Sequence, residues 1–520
     1  MQLEVQLAEA HRRLEAGDRS GAAACYTEVL RRQPDNAEAL LGLGGLHLEA
    51  GRHGHGRELV LRALEAPMRS PREVLRLASG LHAIGESGFL RTVASQIPLS
   101  AWGSASQLVE FARSLAASGL HREADGCLDE ALRREPDLPT ANYLKAEQDI
   151  AFGRFESASQ HIDRVLAVLP DDPGSHWLRS RLRLPEPEGR IPRLRALLAR
   201  AADTAARAWL GHALHNELHD LGAYDEAWEA LQLGAAAQRQ RVHYDLEASR
   251  ALTAALLRVS AAELKHEDGH HDRRLRPVFI VGHYRSGTTL VERLLGGHPA
   301  IATAGESFGF PTVLRRESGL HFRGESHEHA VLTRERHDHG RMGRGYLELL
   351  RWQAGERPFV TDKLPGNVHN LGAIARALPG ALIVHVHRDP LAVGLSNFRT
   401  LFGQACPYSY DLREFAEYHR RQALLMAHWR EVLPPGRLVE IDYATLVRDP
   451  RSALAPVMAA LGLDFDPAML DLGRKGDAVA TASAVLVRDG LRRDRDGLVA
   501  AYAAKLGPLA EALGLPLPGA

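Results

Sequence analysis

Val278-Phe279-Ile280-Val281-Gly282-His283-Tyr284-Arg285-Ser286-Gly287-Thr288-Thr289-Leu290 is the stretch that decides how the second half of this chain folds. Val278 to Val281 is a short apolar run with β-branched and aromatic residues, the pattern of a buried strand. Gly282 to Thr289 is small and hydroxyl-rich, and apolar residues return at helical spacing from Leu290 to Leu295. A strand, a tight loop and a helix start aim several backbone N–H groups at one anion. The loop is therefore expected to cradle a phosphate-like group. The Gly-Lys-Ser/Thr ending of a Walker A loop is missing, and Arg285 carries the positive charge instead. A kinase or GTPase would need that lysine and a magnesium-binding hydroxyl beside it. The loop suits an anion held without a metal.

The rest of the composition narrows the setting. At 520 residues the chain has room for two or more domains. Its 45% apolar and 25% charged content is that of a soluble globular protein. A net charge of −1 gives no ground for nucleic-acid or anionic-membrane binding. The basic pairs Arg273-Arg274 and Arg492-Arg493 read as solvated surface. Cys25, Cys127 and Cys406 show no metal-ligand spacing and suit a reducing compartment. The start Met-Gln-Leu-Glu-Val-Gln lacks the marks of a signal peptide. No run approaches the ~18 apolar residues of a membrane span. A cytoplasmic protein without a bound metal is expected.

Up to about residue 245 the chain is rich in Ala, Leu, Arg and Glu and reads as helix after helix. Gly17 and Gly51, Gly119 and Gly153, and Pro136 and Pro170 are each 34 residues apart. Gly17 is followed by Ala22, Tyr26, Val29 and Pro34; Gly119 by Ala124, Leu128, Ala131 and Pro136; Gly153 by Ala158, Ile162, Val165 and Pro170. Gly222-Ala223-Tyr224-Asp225-Glu226-Ala227 restarts the phrase. Glycine permits the turn between antiparallel helices, alanine their close packing, and proline the stop. The spacing resembles the tetratricopeptide repeat. Residues 68–105 fit the phrase poorly and are expected to hold degenerate repeats. Such arrays bind protein or peptide partners. The reading is residues 1–245 as an all-α repeat array, 246–276 as a polar linker and 277–520 as an α/β domain. His266, His270 and His271 in the linker have no compact ligand spacing. Strands are expected at Val278–Val281, Phe359–Thr361, Ala381–Val386 and Arg437–Ile441, separated by helices, which implies a central parallel sheet.

Several further motifs follow the loop in order: Gly305-Glu306, Asp362-Lys363-Leu364-Pro365, Arg388-Asp389-Pro390 with Ser396-Asn397, and Leu424-Met426-His428-Trp429. Asp442-Tyr443 with Leu446-Val447, Asp449-Pro450 and Thr481-Ala482-Ser483 complete the series. Together with the loop they resemble the sulfotransferases that use 3′-phosphoadenosine 5′-phosphosulfate (PAPS), and are similar to tetratricopeptide-repeat and tyrosylprotein sulfotransferases. The resemblance implies a P-loop-NTPase-like α/β fold. It implies that Arg285, Ser286, Gly287, Thr288 and Thr289 hold the 5′-phosphosulfate, and that Arg388 and Ser396 hold the 3′-phosphate. By the same resemblance Tyr443 and Arg488 support the donor, Ser483 holds its sulfuryl end, Lys363 stabilises the bridging oxygen and Glu306 is the general base. His298, before Pro299, and His385, inside a strand, compete for the last role. Tyr284 stands where the family usually has proline, and Gly490 and Val499 replace its later proline and tryptophan.

The chemistry agrees with these residue types. In-line sulfuryl transfer needs positioning, charge stabilisation at the leaving oxygen and a base for the acceptor hydroxyl. A planar guanidinium matches phosphate oxygens, and a compact ammonium suits a point charge. The acceptor stays open among a peptide tyrosine, a carbohydrate and a small molecule. A degenerate catalytic half, with the array acting as a scaffold, is the alternative reading.

Overall fold

The computed structural model describes residues 2–67, 70–265, 268–272, 274–473 and 496–516. Two compact units are formed: Met1–Leu144 with Phe308–Asp338 and Arg344–Trp352, and Lys145–Ser307 with His339–Gly343 and Gln353–Ala520.

The first unit is built from helix pairs Gln2–Glu15 and Arg19–Arg32, Ala37–Glu49 and His53–Glu65, Pro71–Ala83 and Ser87–Gln96, and Ala105–Ala117 and His121–Arg134. Gly17, Gly51, Gly85 and Gly119 turn each pair, with φ of 79°, 78°, 74° and 78°. This left-handed geometry is one that glycine alone adopts without cost. Gly85 continues the 34-residue period through the segment expected to hold degenerate repeats, and residues 71–96 form a helix pair there. The phrase is hard to read there because Leu90 stands where the other repeats have a small residue, yet Leu90 is fully buried in the core. Side-chain caps fix the helix starts: Asp18 accepts from the Gly21 N–H, and Ser70 and Glu73 form a reciprocal capping box.

Residues 308–338 and 344–352 lie inside the predicted α/β segment but fold with the repeats. The His53 N–H donates to Gly319 O at 2.9 Å and the His321 N–H to Gly51 O at 2.8 Å, around an antiparallel bridge between Arg52 and Leu320. The helix Gly309–Ser318 crosses so near the third turn that a Cβ on Gly85 would stand 2.1 Å from Thr312 Oγ1. Trp352 packs on the repeat core with Arg91 over its ring.

The second unit holds the remaining helices of the array and the sheet. Part of the expected linker is helical, Leu246–Leu256. The strands are β1 (Arg276–Gly282), β2 (Ile301–Thr303), β3 (Phe359–Asp362), β4 (Leu382–His387) and β5 (Leu438–Asp442). They are all parallel in the order β2-β3-β1-β4-β5. Four were expected; β2 was not, because three residues carry no periodicity. β1 is central, with β3 on one side and β4 on the other, so a crevice opens at its carboxyl end.

Val278, Ile280, Val384 and Val386 bury one sheet face against Leu290, Leu294 and Leu454. Each such side chain contributes about 1.5–3 kcal/mol. The array's last helix, Tyr224–Arg241, joins a second core in the same unit through Trp228, Leu231 and Ala235, with Thr204–Asp220 packed beside it. Arg399 Nε donates to His215 Nε2 at 2.7 Å, His219 Nδ1 lies 3.0 Å from the Tyr502 hydroxyl, and Trp228 packs on Phe398. These contacts anchor the helix Pro390–Phe398, which carries Ser396. Among the described residues no helix is long and apolar enough to cross a membrane, and no group of three His, Cys, Asp or Glu could hold a metal.

Candidate active site

The loop after β1 is pinned from three sides. Gly282, with φ 151°, lies so close to β4 that a Cβ would come 2.5 Å from Val386 O. Arg285 has φ 73°, a left-handed conformation that costs a non-glycine residue about 1–2 kcal/mol. Its neighbours hold it there. Arg285 Nε donates to Ser396 Oγ at 3.1 Å, and Arg388 Nη1 reaches Arg285 O at a long 3.4 Å. Asn397 Nδ2 donates to Tyr284 O at 2.8 Å.

Gly287, with φ 110°, faces the Tyr443 ring, which a Cβ would meet at 2.3 Å. The Arg388 guanidinium lies over the same ring, 4.5 Å from its centre, a cation–π contact. Arg285, Gly287, Arg388, Ser396 and Tyr443 thus converge at the carboxyl ends of β1, β4 and β5. The helix Thr288–Leu295 starts at Gly287 without a side-chain cap. Ser286 Oγ is buried with no partner, and Thr288 and Thr289 are buried beside it. An uncapped helix start, an orphaned hydroxyl and two guanidiniums form a donor set that fits a phosphate-type anion.

A second pair stands at the end of β3. Lys363 Nζ is 2.7 Å from Glu306 Oε1, with the lysine side chain fully shielded and the glutamate 31% exposed. The Lys363 N–H donates to Gly305 O at 2.8 Å, which ties the two backbones. Glu292, on the loop's own helix, accepts from the Gly305 N–H and from Thr361 Oγ1, both at 3.0 Å. Burial pushes the Glu292 carboxyl up, against the nearby Lys363 ammonium and these two donors. Sequence reasoning missed Glu292. Its signal was a carboxylate set among Leu290, Val291, Leu294 and Leu295. This one helix links the anion cradle at its start to Gly305-Glu306 beyond its first turn.

A sequence profile described as the sulfotransferase family matches residues 277–467, the span that contains both clusters. A tetratricopeptide-repeat profile matches residues 7–71. A protein of Aquifex aeolicus (strain VF5) without an assigned function is 28% identical over 323 residues, 60% of this chain and 42% of its own length. The chain therefore spans less than half of that relative. A Caenorhabditis briggsae protein, provisionally named a protein-tyrosine sulfotransferase, is 23% identical over 37% of this chain and 68% of its own. Among solved structures, the sulfotransferase domain of the curacin biosynthetic pathway aligns over 48% of this chain and all of its own, at 18% identity and TM-score 0.33. The tetratricopeptide-repeat protein YrrB aligns over 33% of this chain and 88% of its own, at 17% identity and TM-score 0.26.

In the second unit the two competing histidines have other partners. His385 Nδ1 is 2.9 Å from Glu440 Oε1 on β5, which Arg430 also holds at 2.7 Å. His298 Nδ1 accepts the Ala300 N–H at 3.1 Å, closing the end of a helix. His283, beside Tyr284, stacks on His419 at 4.6 Å, and burial keeps its ring well below the usual imidazole range. Ser483 and Arg488 lie outside the described residues.

Proposed function

We propose that this chain transfers a sulfuryl group from PAPS to an acceptor hydroxyl by in-line displacement, with Glu306 as general base and no metal. The observation that carries the reading is the Lys363–Glu306 pair, 2.7 Å apart and tied through Glu292 to the helix that begins at the anion loop. In this reading Arg285 and the N–H groups and hydroxyls of Ser286 to Thr289 bind the 5′-phosphate. Arg388 and Ser396 bind the 3′-phosphate, and Tyr443 supports the nucleotide and Arg388 together. Ser483 and Arg488 complete the donor site.

PAPS supplies an electrophilic sulfur on a phosphate leaving group. Glu306 takes the acceptor proton as the acceptor oxygen bonds to sulfur and the sulfur–phosphate oxygen bond breaks. Lys363 neutralises the charge that develops on that oxygen. The lysine must leave Glu306 to do so, which frees the carboxylate as base at the moment it is needed.

We infer a peptide tyrosine as acceptor, supported by the name of the Caenorhabditis relative and by an array suited to peptides. Residues 1–245 would recruit the partner. Three buried free thiols suit a cytoplasmic setting. Calorimetric titration with adenosine 3′,5′-bisphosphate and ADP in chelator tests the donor site. Binding that strongly prefers the bisphosphate supports it; equal or absent binding refutes it.

A further inference from the structure

The repeat unit contains a pocket of about 320 Å³ along the helix His53–Glu65, closed by Arg316 from the helix Gly309–Ser318. His53, Arg57 and Leu61 line it at four-residue spacing, one stripe of a helix face. With Glu65 at the far end, the stripe is about 18 Å long at 1.5 Å per residue.

Its inner charges do not balance. Glu86 is the buried carboxylate, and Arg57 Nη2 and Arg316 Nη2 crowd its Oε1 at 2.8 and 2.9 Å. Two guanidiniums on one carboxylate leave an excess of one positive charge. Glu58, Arg62 and Glu65 also line the pocket and Glu348 acts on Arg316, but all four are exposed, where water and salt weaken their effect.

Three buried nitrogens make no hydrogen bond: Arg316 Nε, Arg316 Nη2, whose approach to Glu86 is an ion pair, and Nε2 of His53, whose side chain is wholly shielded. Burial, and then His321, Arg315, Arg316 and Arg57, hold His53 down to about 3, so the potential at its ring is positive. Its Nδ1 faces His321 Nδ1 at 3.2 Å, a contact in which one ring must donate and the other accept. If His321 donates, His53 carries its hydrogen on Nε2, ready for an acceptor. The helix begins here with no side-chain cap, its His53 N–H already donating to Gly319 O.

We propose that this pocket binds an acidic segment of a partner protein, one carboxylate of which accepts from Arg57, Arg316 and His53 Nε2–H. A carboxylate carries the single negative charge that the site lacks; a phosphate dianion would overshoot it. The elongated stripe suits several residues of extended chain at about 3.3 Å each, with an apolar neighbour over Leu61. An isolated anion would leave most of the pocket empty.

Calorimetry on the full-length protein, with a capped peptide bearing one glutamate beside a leucine, tests this. The glutamate peptide should bind, its glutamine counterpart should bind at least tenfold more weakly, and Arg316→Gln should weaken the glutamate peptide by a similar factor. Arg57→Gln, on the more exposed arginine, is the second variant should Arg316→Gln lower the melting temperature. Equal binding of the two peptides, or wild-type affinity in both variants, overturns the proposal. So does acetate or sulfate binding as tightly as the peptide, which would mark a simple anion site. The measurement needs neither PAPS nor turnover, so its failure leaves the sulfuryl-transfer reading untouched.

Discussion

Lys363 holds its ammonium 2.7 Å from the Glu306 carboxylate in a place where the lysine has no access to water and the glutamate has some. A charge so shielded needs a partner, and an incoming anion can replace the one it has. Glu306→Gln keeps a neutral acceptor for Lys363 and removes the base. Turnover should fall by about 10²- to 10⁴-fold with the affinity for adenosine 3′,5′-bisphosphate unchanged. Single-turnover rates beside calorimetry check this, and a fully active variant would end Glu306's candidacy.

Arg388 rests on Tyr443 and touches the backbone of Arg285. Arg388→Ala should weaken adenosine 3′,5′-bisphosphate by about 1.5–3 kcal/mol, roughly 10- to 150-fold, with little change for adenosine 5′-monophosphate. A loss shared equally by both nucleotides would take the 3′-phosphate role from Arg388.

Gly287→Ala puts a methyl group where the Tyr443 ring stands and asks alanine to hold φ 110°. The ring must move and take its contact with Arg388 along. Donor affinity should drop by tenfold or more while the far-ultraviolet circular dichroism stays that of the parent. Unaltered nucleotide binding would mean that the glycine serves the turn alone.

Gly85 and Gly119 share their left-handed geometry but not their surroundings. Nothing lies within 4 Å of a Cβ on Gly119, whereas one on Gly85 meets the buried Thr312. Gly119→Ala should cost about 1–2 kcal/mol from backbone strain. Gly85→Ala should add about 1–3 kcal/mol of overpacking to that. Denaturant midpoints compare them, and equal losses would show that the crossing helix yields freely.

Buried histidines set a pH limit on stability. Burial brings His53 down to about 3 and His212 to about 4, so both stay neutral in the folded chain. The unfolded chain takes up those protons near pH 6.5, so stability is full above that value and falls as the pH drops below it. Each contributes a loss of about 1.4 kcal/mol per pH unit, or roughly 2 kcal/mol between pH 6.5 and 5. Carboxylates held low, such as Glu440 beside His385 and Arg430, lose their contribution only below about pH 4.3. Unfolding free energies that stay flat from pH 7 to 5 would contradict this account.

Much of this architecture can be read from residues that act locally. The strand–loop–helix at 278–295 is written in apolar run, small residues and returning periodicity, and four strands follow from short β-branched runs. Arg285, Arg388, Ser396 and Tyr443 are brought together as their positions after β1, β4 and β5 suggest. What could not be read is what depends on distant partners. β2 exists because Ile301–Thr303 finds β3. Glu292 matters because Gly305 and Thr361 reach it. The 308–352 stretch looks like ordinary α/β connection, and nothing local marks Phe310 or Trp352 as belonging with the repeats.

The path of the chain through the two units bears on how such a protein can be dissected. It passes from one unit to the other after Leu144, Ser307, Asp338, Gly343 and Trp352. No single cut returns both units whole. A fragment beginning at residue 277 would carry Phe310, Val313, Leu314, Leu347 and Leu350, all buried in the whole chain, without residues 1–144 of the unit they belong to. The first unit is therefore no contiguous cassette that a single cut could lift out and join to another enzyme.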